Sequence, residues 1–283
     1  MAYPRLYTCD LARGRYSSVS SIPDSAYSSQ NAVDGDPNSL WVPGAVSSDW
    51  GVYLAGARTV RAFALVNHNL VGATVSLHVY HDGILEMITA QLPITSDPFL
   101  VDLVTPTTAS TLAVLKVIGA SSNIKVGCIY ILGDYGYDSD GVLAADGGYG
   151  IIELGRSASG GITRPLPVGG DTGVRVVRSS NGFPQFQQIS APSDVLTLPF
   201  ELMRSSLDME LWRLWHAYYP RTRGEFSNPG FSKGVWFTSD EYSVDARLAM
   251  YCVGESLGYQ VDQAGSRSSG ALTLRAIPRD IVS

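Results

Sequence analysis

The sequence predicts a mainly β protein. It reads as an N-terminal β-sandwich or jelly roll followed by a C-terminal β-barrel or β-sandwich domain with one amphipathic helix at about 207–219. Three observations predict this. Runs of four to eight β-branched and aromatic residues recur along the chain, bounded by Gly, Pro, Asn, Asp and Ser. Several of these runs alternate apolar and polar residues with period two. One window alone repeats its apolar residues with helical spacing. With 283 residues, the chain has the length of one large domain or two ordinary ones.

In the first half the expected strands are Gly51–Leu54, Ala62–Val66, Thr74–Tyr80, Phe99–Leu103, Ala113–Ile118 and Ile124–Leu132. In Thr74–Tyr80, Val75, Leu77 and Val79 alternate with polar neighbours, as in a strand with one buried face. Six strands without helical periodicity imply a sandwich or jelly roll. A stretch of Gly, Tyr and Asp from Gly133 to Gly150 offers little to bury. It divides the chain into a module at 1–135, a linker at 136–150 and a β-rich domain at 151–283.

In the second half, Thr172–Val177 and Phe183–Ile189 flank Ser179-Ser180-Asn181-Gly182, and Asn-Gly between two extended runs signals a hairpin. Val195–Phe200 follows as a strand. Ser205, three residues before Asp208, then opens the helix as an acidic variant of the capping box. Leu207, Leu211, Leu214, Trp215 and Tyr218 form its apolar stripe, and Pro220 ends it. Strands resume at Val235–Thr238, Ala246–Val253, Tyr259–Asp262 and Ala271–Ile277.

Composition excludes several function classes. The 45% hydrophobic content with 29 Gly and 15 Pro is that of a folded chain, not a disordered or coiled-coil one. Net charge is −6, and Lys116, Lys125 and Lys233 are the only lysines, so no phosphate-tracking surface is expected and nucleic acid is not a partner. The N-terminus shows no signal peptide, and no apolar run approaches the roughly 18 residues that insert in a membrane. Cys9, Cys128 and Cys252 are far apart and odd in number, which suits three separate buried thiols better than a disulfide framework or a zinc site. The chain also lacks a P-loop and a zincin helix. Its few glutamates form no acid/base motif, so no enzymatic activity is expected. The low charge, 16%, suits a protein whose surface is partly covered by other subunits. Trp212, Trp215 and Tyr219 are the candidate interface residues, either as a subunit contact or as part of a wide buried stripe.

Candidate binding residues cluster in the first half. Asn31–Trp41 packs Asp34, Asp36 and Asn38 oxygens around Gly35 and Pro37. Two chemistries fit this loop: a Ca²⁺ site made of hard oxygen ligands, or a turn whose Asx side chains satisfy its own backbone. Asn67, His68 and Asn69 lie where a strand should meet a loop. With Trp41 as an aromatic platform they fit glycan contact, and without a ligand they fit an Asn-stabilised turn. His78, Tyr80, His81 and Asp82 read as exposed strand and turn residues.

The segment Ala32-x-Asp34-Gly35-Asp36-x-Asn38-Ser39-x-Trp41 resembles the early loop of discoidin-type (coagulation factor 5/8 C) domains, which are galactose-binding-like jelly rolls. Trp50–Leu54, Val60–Val66 and Ile124–Gly133 extend the resemblance over about residues 20–135. Metal-binding members of that family carry a glutamate in the last strand, and Cys128 stands at the matching position here. Apart from that calcium site, no cofactor is implied. Asn67-His68-Asn69-Leu70 after Ala64-Leu65-Val66 is similar to a run in tail proteins of tailed bacteriophages that carry discoidin-like modules.

The resemblance implies a structural subunit of a phage tail tip or baseplate, broadly like distal-tail proteins. Such a subunit would be made in the host cytoplasm and built into the virion, joining copies of itself in a symmetric ring and contacting other tail proteins. The module would present a carbohydrate-binding surface to cell-surface glycan. The alternatives are a free lectin or adhesin, and, behind both, a glycoside hydrolase with a binding module, for which Glu201 and Glu241 would be the residues to test.

Overall fold

The computed structural model describes residues 5–7, 10–12, 15–19, 27–103, 105–107 and 109–134, together with the second-half strand segments named below. The first-half strands are β1 (Arg5–Tyr7), β2 (Ser17–Val19), β3 (Ser48–His68), β4 (Thr74–His81), β5 (Ile84–Ile88), β6 (Leu92–Pro93), β7 (Phe99–Asp102), β8 (Ser110–Ile118) and β9 (Val126–Asp134). The expected strands Gly51–Leu54 and Ala62–Val66 are two ends of one strand, β3.

That long strand builds the sandwich. Its first part, to Tyr53, pairs with β2 on one side and β8 on the other. The register then shifts between Tyr53 and Arg58. Beyond the shift, Ala62 to Leu65 pairs with β7, and β9 runs along the other side to His68. A strand that passes through an irregularity into a second sheet forms the corner of a sandwich. The larger sheet runs β2-β3-β8-β4-β5, with β6 also on β4. The smaller one is β7-β3-β9.

Alternation fills the space between them. Trp50 and Val52 of β3, Val75, Leu77 and Val79 of β4, and Ala113, Leu115 and Val117 of β8 point inward from the larger sheet. Phe63 and Leu65, Phe99 and Val101, and Ile129 and Ile131 meet them from the smaller. The Phe63 and Phe99 rings lie 6.4 Å apart and tilted, within the range of favourable aromatic pairs.

The second-half strands are β10 (Ile151–Glu153), β11 (Gly161–Ile162), β12 (Val168–Asp171), β13 (Val174–Arg178), β14 (Pro184–Gln188), β15 (Ser193–Arg204), β16 (Val235–Thr238), β17 (Ala249–Val261) and β18 (Arg267–Ala276). β13 and β14 pair antiparallel from Val174↔Gln188 to Arg178↔Pro184, the hairpin expected around Asn181-Gly182. The expected strands Ala246–Val253 and Tyr259–Asp262 join as β17, because Gly254 to Ser256 is a register shift and not a break. A second large sheet runs β10-β1-β16-β17-β18-β15-β11, with β12 also on β15. Its end strands do not pair with one another, so among the described residues no barrel closes. The expected helix at 207–219 and the linker at 136–150 lie outside the described residues.

The two halves meet through β1 and β16. Arg5–Tyr7, at the start of the chain, pairs with β10 and β16 and belongs to the second sheet. Tyr7 and Trp236 cover the outer face of the smaller sandwich sheet, packing on Ala62, Ala64, Val66, Leu100, Cys128, Tyr130 and Leu132. Tyr130 meets Trp236 edge-on at 5.6 Å. The Tyr7 hydroxyl donates to Asp102 at the end of β7. Both faces of β3 and β9 are therefore apolar here, which explains their near-continuous hydrophobic runs. Among the described residues no helix is long and apolar enough to cross a membrane.

Candidate functional site

The sandwich has two outer faces, and their surroundings differ. One is covered by Tyr7 and Trp236. The other is the outer face of β2-β3-β8-β4-β5, where the side chains opposite the core positions are partly or fully exposed apart from Gly51 and Ser76.

Cross-strand register arranges these side chains in rows. Tyr53 lies opposite Leu112, Leu112 opposite Tyr80, and Tyr80 opposite Leu85. At the β2 end, the Tyr53 amide donates to the Tyr16 carbonyl at 3.3 Å. The two rings stack at 6.4 Å with an interplanar angle of 26°. Tyr16 is 71% exposed and Tyr53 55%, so the pair presents ring surface to solvent instead of filling the core. The row Tyr16-Tyr53-Leu112-Tyr80-Leu85 thus crosses β3, β8, β4 and β5 and reaches the residue that precedes β2.

A second row runs Ser18-Gly51-Val114-His78-Ile88. A Cβ on Gly51 would lie 3.4 Å from Ser18 Oγ and 3.5 Å from Val114 Cγ2, ordinary contact distances. Gly51 itself is buried, covered by these two neighbouring side chains. A third row is polar: Lys116 lies opposite both Asp49 and Ser76, and Lys116 Nζ is 3.5 Å from Asp49 Oδ2. Ser76 Oγ and His78 Nε2 are 3.2 Å apart. Burial lowers the His78 pKa below 6.5, helped by the Lys116 charge and opposed by Asp49. The imidazole is therefore largely uncharged at neutral pH, able to donate one hydrogen bond and accept another.

Chemically, the face offers exposed phenol rings and aliphatic surface beside hydroxyl, imidazole and paired-charge groups. Such a surface can stack on the C–H side of a sugar ring while polar neighbours exchange hydrogen bonds with its hydroxyls.

The residues expected to touch glycan serve other ends. Trp41 has no exposed surface and sits in the core, bridged by its backbone to Val126, so its ring is no platform. Asn67 and His68 are buried. Asn67 takes a φ of 54°, a left-handed conformation that Asn tolerates, and its side-chain amide donates to the Pro37 carbonyl at 2.7 Å. His68 Nδ1 accepts from the Leu70 amide at 3.2 Å, and Nε2 faces Asp97 at 3.7 Å. Asn69 is half-buried, donating to Ser122 Oγ and the Asn123 carbonyl and accepting from the Lys125 amide. The Asn-His-Asn run is a latch between loops.

The Asp34–Asn38 loop follows a 3-10 turn over Ser29–Val33. Its carboxylates turn back on the backbone: Asp34 Oδ1 accepts from the Asp36 amide at 2.8 Å, and Asp36 Oδ1 from the Asn38 amide at 3.0 Å. That is the self-satisfying Asx arrangement rather than a convergent ligand set. Among the described residues no three His, Cys, Asp or Glu side chains gather as a metal site. Cys128 does not face this loop; it packs with Trp236 on the covered side. The strand position that does face the loop is Gly127, where a Cβ would lie 2.0 Å from the Pro37 carbonyl oxygen.

His78 and Tyr80 share a strand face, as expected, while His81 Nδ1 meets the Ala109 carbonyl. Trp212, Trp215, Tyr219 and Glu241 lie outside the described residues. Tyr16 and Tyr53 were missed by sequence reasoning. Tyr53 was findable, because Trp50, Val52 and Leu54 set the inward positions and leave Tyr53 pointing out. Tyr16 needed the register of β2 on β3.

No family model matches the chain, and no curated protein matches it. Solved structures do resemble part of it. Chitosan-binding module 1 of a chitosanase/glucanase from Paenibacillus sp. IK-5 is 22% identical, with 44% of this chain and 99% of that one covered at a TM-score of 0.37. The family 32 carbohydrate-binding module of NanJ from C. perfringens, solved with galactose, is 16% identical over 44% and 98% of the chains at 0.39. The lectin domain of lectinolysin, complexed with Lewis B antigen, is 14% identical over 45% and 99% at 0.38.

Proposed function

We propose that this chain is a carbohydrate-binding protein that holds sugar on the open face of its sandwich, without cleaving it. The observation that carries this is the stacked, solvent-facing pair Tyr16 and Tyr53 beside hydrogen-bonding Ser18 and His78. Aromatic side chains left exposed at the head of a continuous apolar row mark a binding surface more than a stabilising one. A glycan array and calorimetry on the whole chain test the proposal. Saturable binding lost in Tyr16→Ala and Tyr53→Ala supports it. Absence of binding, or binding indifferent to both changes, overturns it, and turnover of a bound glycan overturns the non-enzymatic part.

A second reading, assembly into a homo-oligomeric ring such as a phage tail tip or baseplate, is favoured by a different observation. β5 ends its sheet, and Ile84, Leu85 and Ile88 on it are 74%, 45% and 51% exposed. Apolar edge strands invite pairing with another chain. In this reading the protein is a virion component that contacts copies of itself and neighbouring tail proteins, with the sugar-binding face turned to the cell surface. Light scattering of the wild type and of Ile84→Lys tests the association. A monomer at all concentrations, unchanged by the substitution, removes this reading.

A further inference from the structure

Resting on the carbohydrate reading of the open face, we infer that its ligand is an internal stretch of an extended, electrically neutral polysaccharide laid across the strands, not a single terminal sugar. Length is the first ground. Tyr16-Tyr53-Leu112-Tyr80-Leu85 runs from the residue before β2 across to β5, and four strand spacings come to about 19 Å, room for several sugar rings in line. Both ends of the row are open: Tyr16 is exposed at one and Leu85 at the other.

Shape is the second ground. Tight capture of one small molecule needs a concave site that buries most of its surface. Here the exposed side chains stand in parallel rows on the pleated outer face of a sheet, so affinity must accumulate over many weak contacts along a chain.

Charge is the third. The row consists of phenol and aliphatic side chains and carries no Asp, Glu, Lys, Arg or His. Two rows away, Lys116 and Asp49 stand 3.5 Å apart and offset one another. Charges on the other flank are again of both signs, with Arg58 opposite Ser110, Glu86 accepting from Ser110 and Asp82 3.5 Å from His81, so the face favours neither an anionic nor a cationic polymer. His78 and Ser18 on one flank, and Asp82 beside Tyr80 on the other, offer polar groups to the hydroxyls of the bound chain.

The test is a length series of neutral gluco-, manno- and xylo-oligosaccharides, from the monosaccharide upward, titrated against the whole chain. Affinity should rise about tenfold or more before levelling near the length of the row. It should change little between low and high salt. Tyr80→Ala and Leu85→Ser, at the far end from Tyr16, should weaken the long oligomers and spare the short ones. Leu85 is exposed, so the second variant folds even where the first does not. Equal affinity for monosaccharide and long oligomer, still abolished by Tyr53→Ala, overturns this inference and leaves carbohydrate binding standing. A preference for uronate polymers that salt removes does the same. Failure of every saccharide to bind overturns both.

Discussion

Gly127→Ala gives a clear physical test of how the Asp34–Asn38 loop is held. The added Cβ would lie 2.0 Å from the Pro37 carbonyl oxygen, 2.9 Å from the Pro37 carbonyl carbon and 3.1 Å from Asn67 Cβ. The nearest of these atoms are backbone, so the loop must retreat by about 1 Å or more to restore contact distance. That retreat breaks the 2.7 Å bond from the Asn67 amide to the Pro37 carbonyl, and Asn67 is 1% exposed. Overpacking costs about 1–3 kcal/mol. A buried amide deprived of a partner costs about another 1–3 kcal/mol. The two share one displacement and do not add fully, so we expect a loss of about 2–4 kcal/mol, or a melting temperature lower by roughly 5–15 °C. The assay is thermal and urea unfolding beside Gly51→Ala, whose Cβ meets nothing closer than 3.4 Å and which should stay within about 0.5 kcal/mol of wild type. If Gly127→Ala melts within about 2 °C of wild type, the loop is not seated on β9 as described.

Three further outcomes follow from the same structure. The His78 pKa is lowered in the fold, so the folded state binds fewer protons than the unfolded one just below pH 6.5. Its contribution is fully present above 6.5 and is lost as pH falls through the lowered value, so melting curves at successive pH values should show a fall below 6.5 that is shallower in His78→Gln. Trp236→Ala removes a fully buried ring from the contact between the sheets and should cost about 3–5 kcal/mol in urea unfolding, with loss of near-ultraviolet dichroism from the Tyr130 contact. Asp36→Ala frees the exposed Asn38 amide to water and should cost at most about 1 kcal/mol, and calcium should leave the wild-type melting temperature unchanged. A calcium-dependent rise that Asp36→Ala abolishes would make the loop a metal site after all.

Much of the fold was legible because the sandwich strands carry their burial in their pattern. Val75, Leu77 and Val79 alternate because one face of β4 meets the core and the other does not. Ala62 to Val66 does not alternate, and that too was a signal: a continuous apolar run marks a strand covered on both sides. The glycan candidates went astray for a related reason. Trp41, Asn67 and His68 look like binding chemistry as residue types, but burial decides whether a polar or aromatic group is offered outward, and loop residues have no periodicity from which to infer it.

The sequence by itself determined the β class, most sandwich strands and the Asn181-Gly182 hairpin, because each rests on local spacing or local turn chemistry, while it left the Asp34–Asn38 loop open between a Ca²⁺ site and an Asx turn. Only the tertiary structure decided that β3 turns the corner between two sheets, that β1 joins the second sheet, and that Tyr16, Tyr53, Leu112, Tyr80 and Leu85 fall in one row. Those facts depend on register between segments up to about 230 residues apart, as in Leu6 opposite Phe237, and pairing at such distance is set by how whole faces pack together rather than by any short stretch of chain.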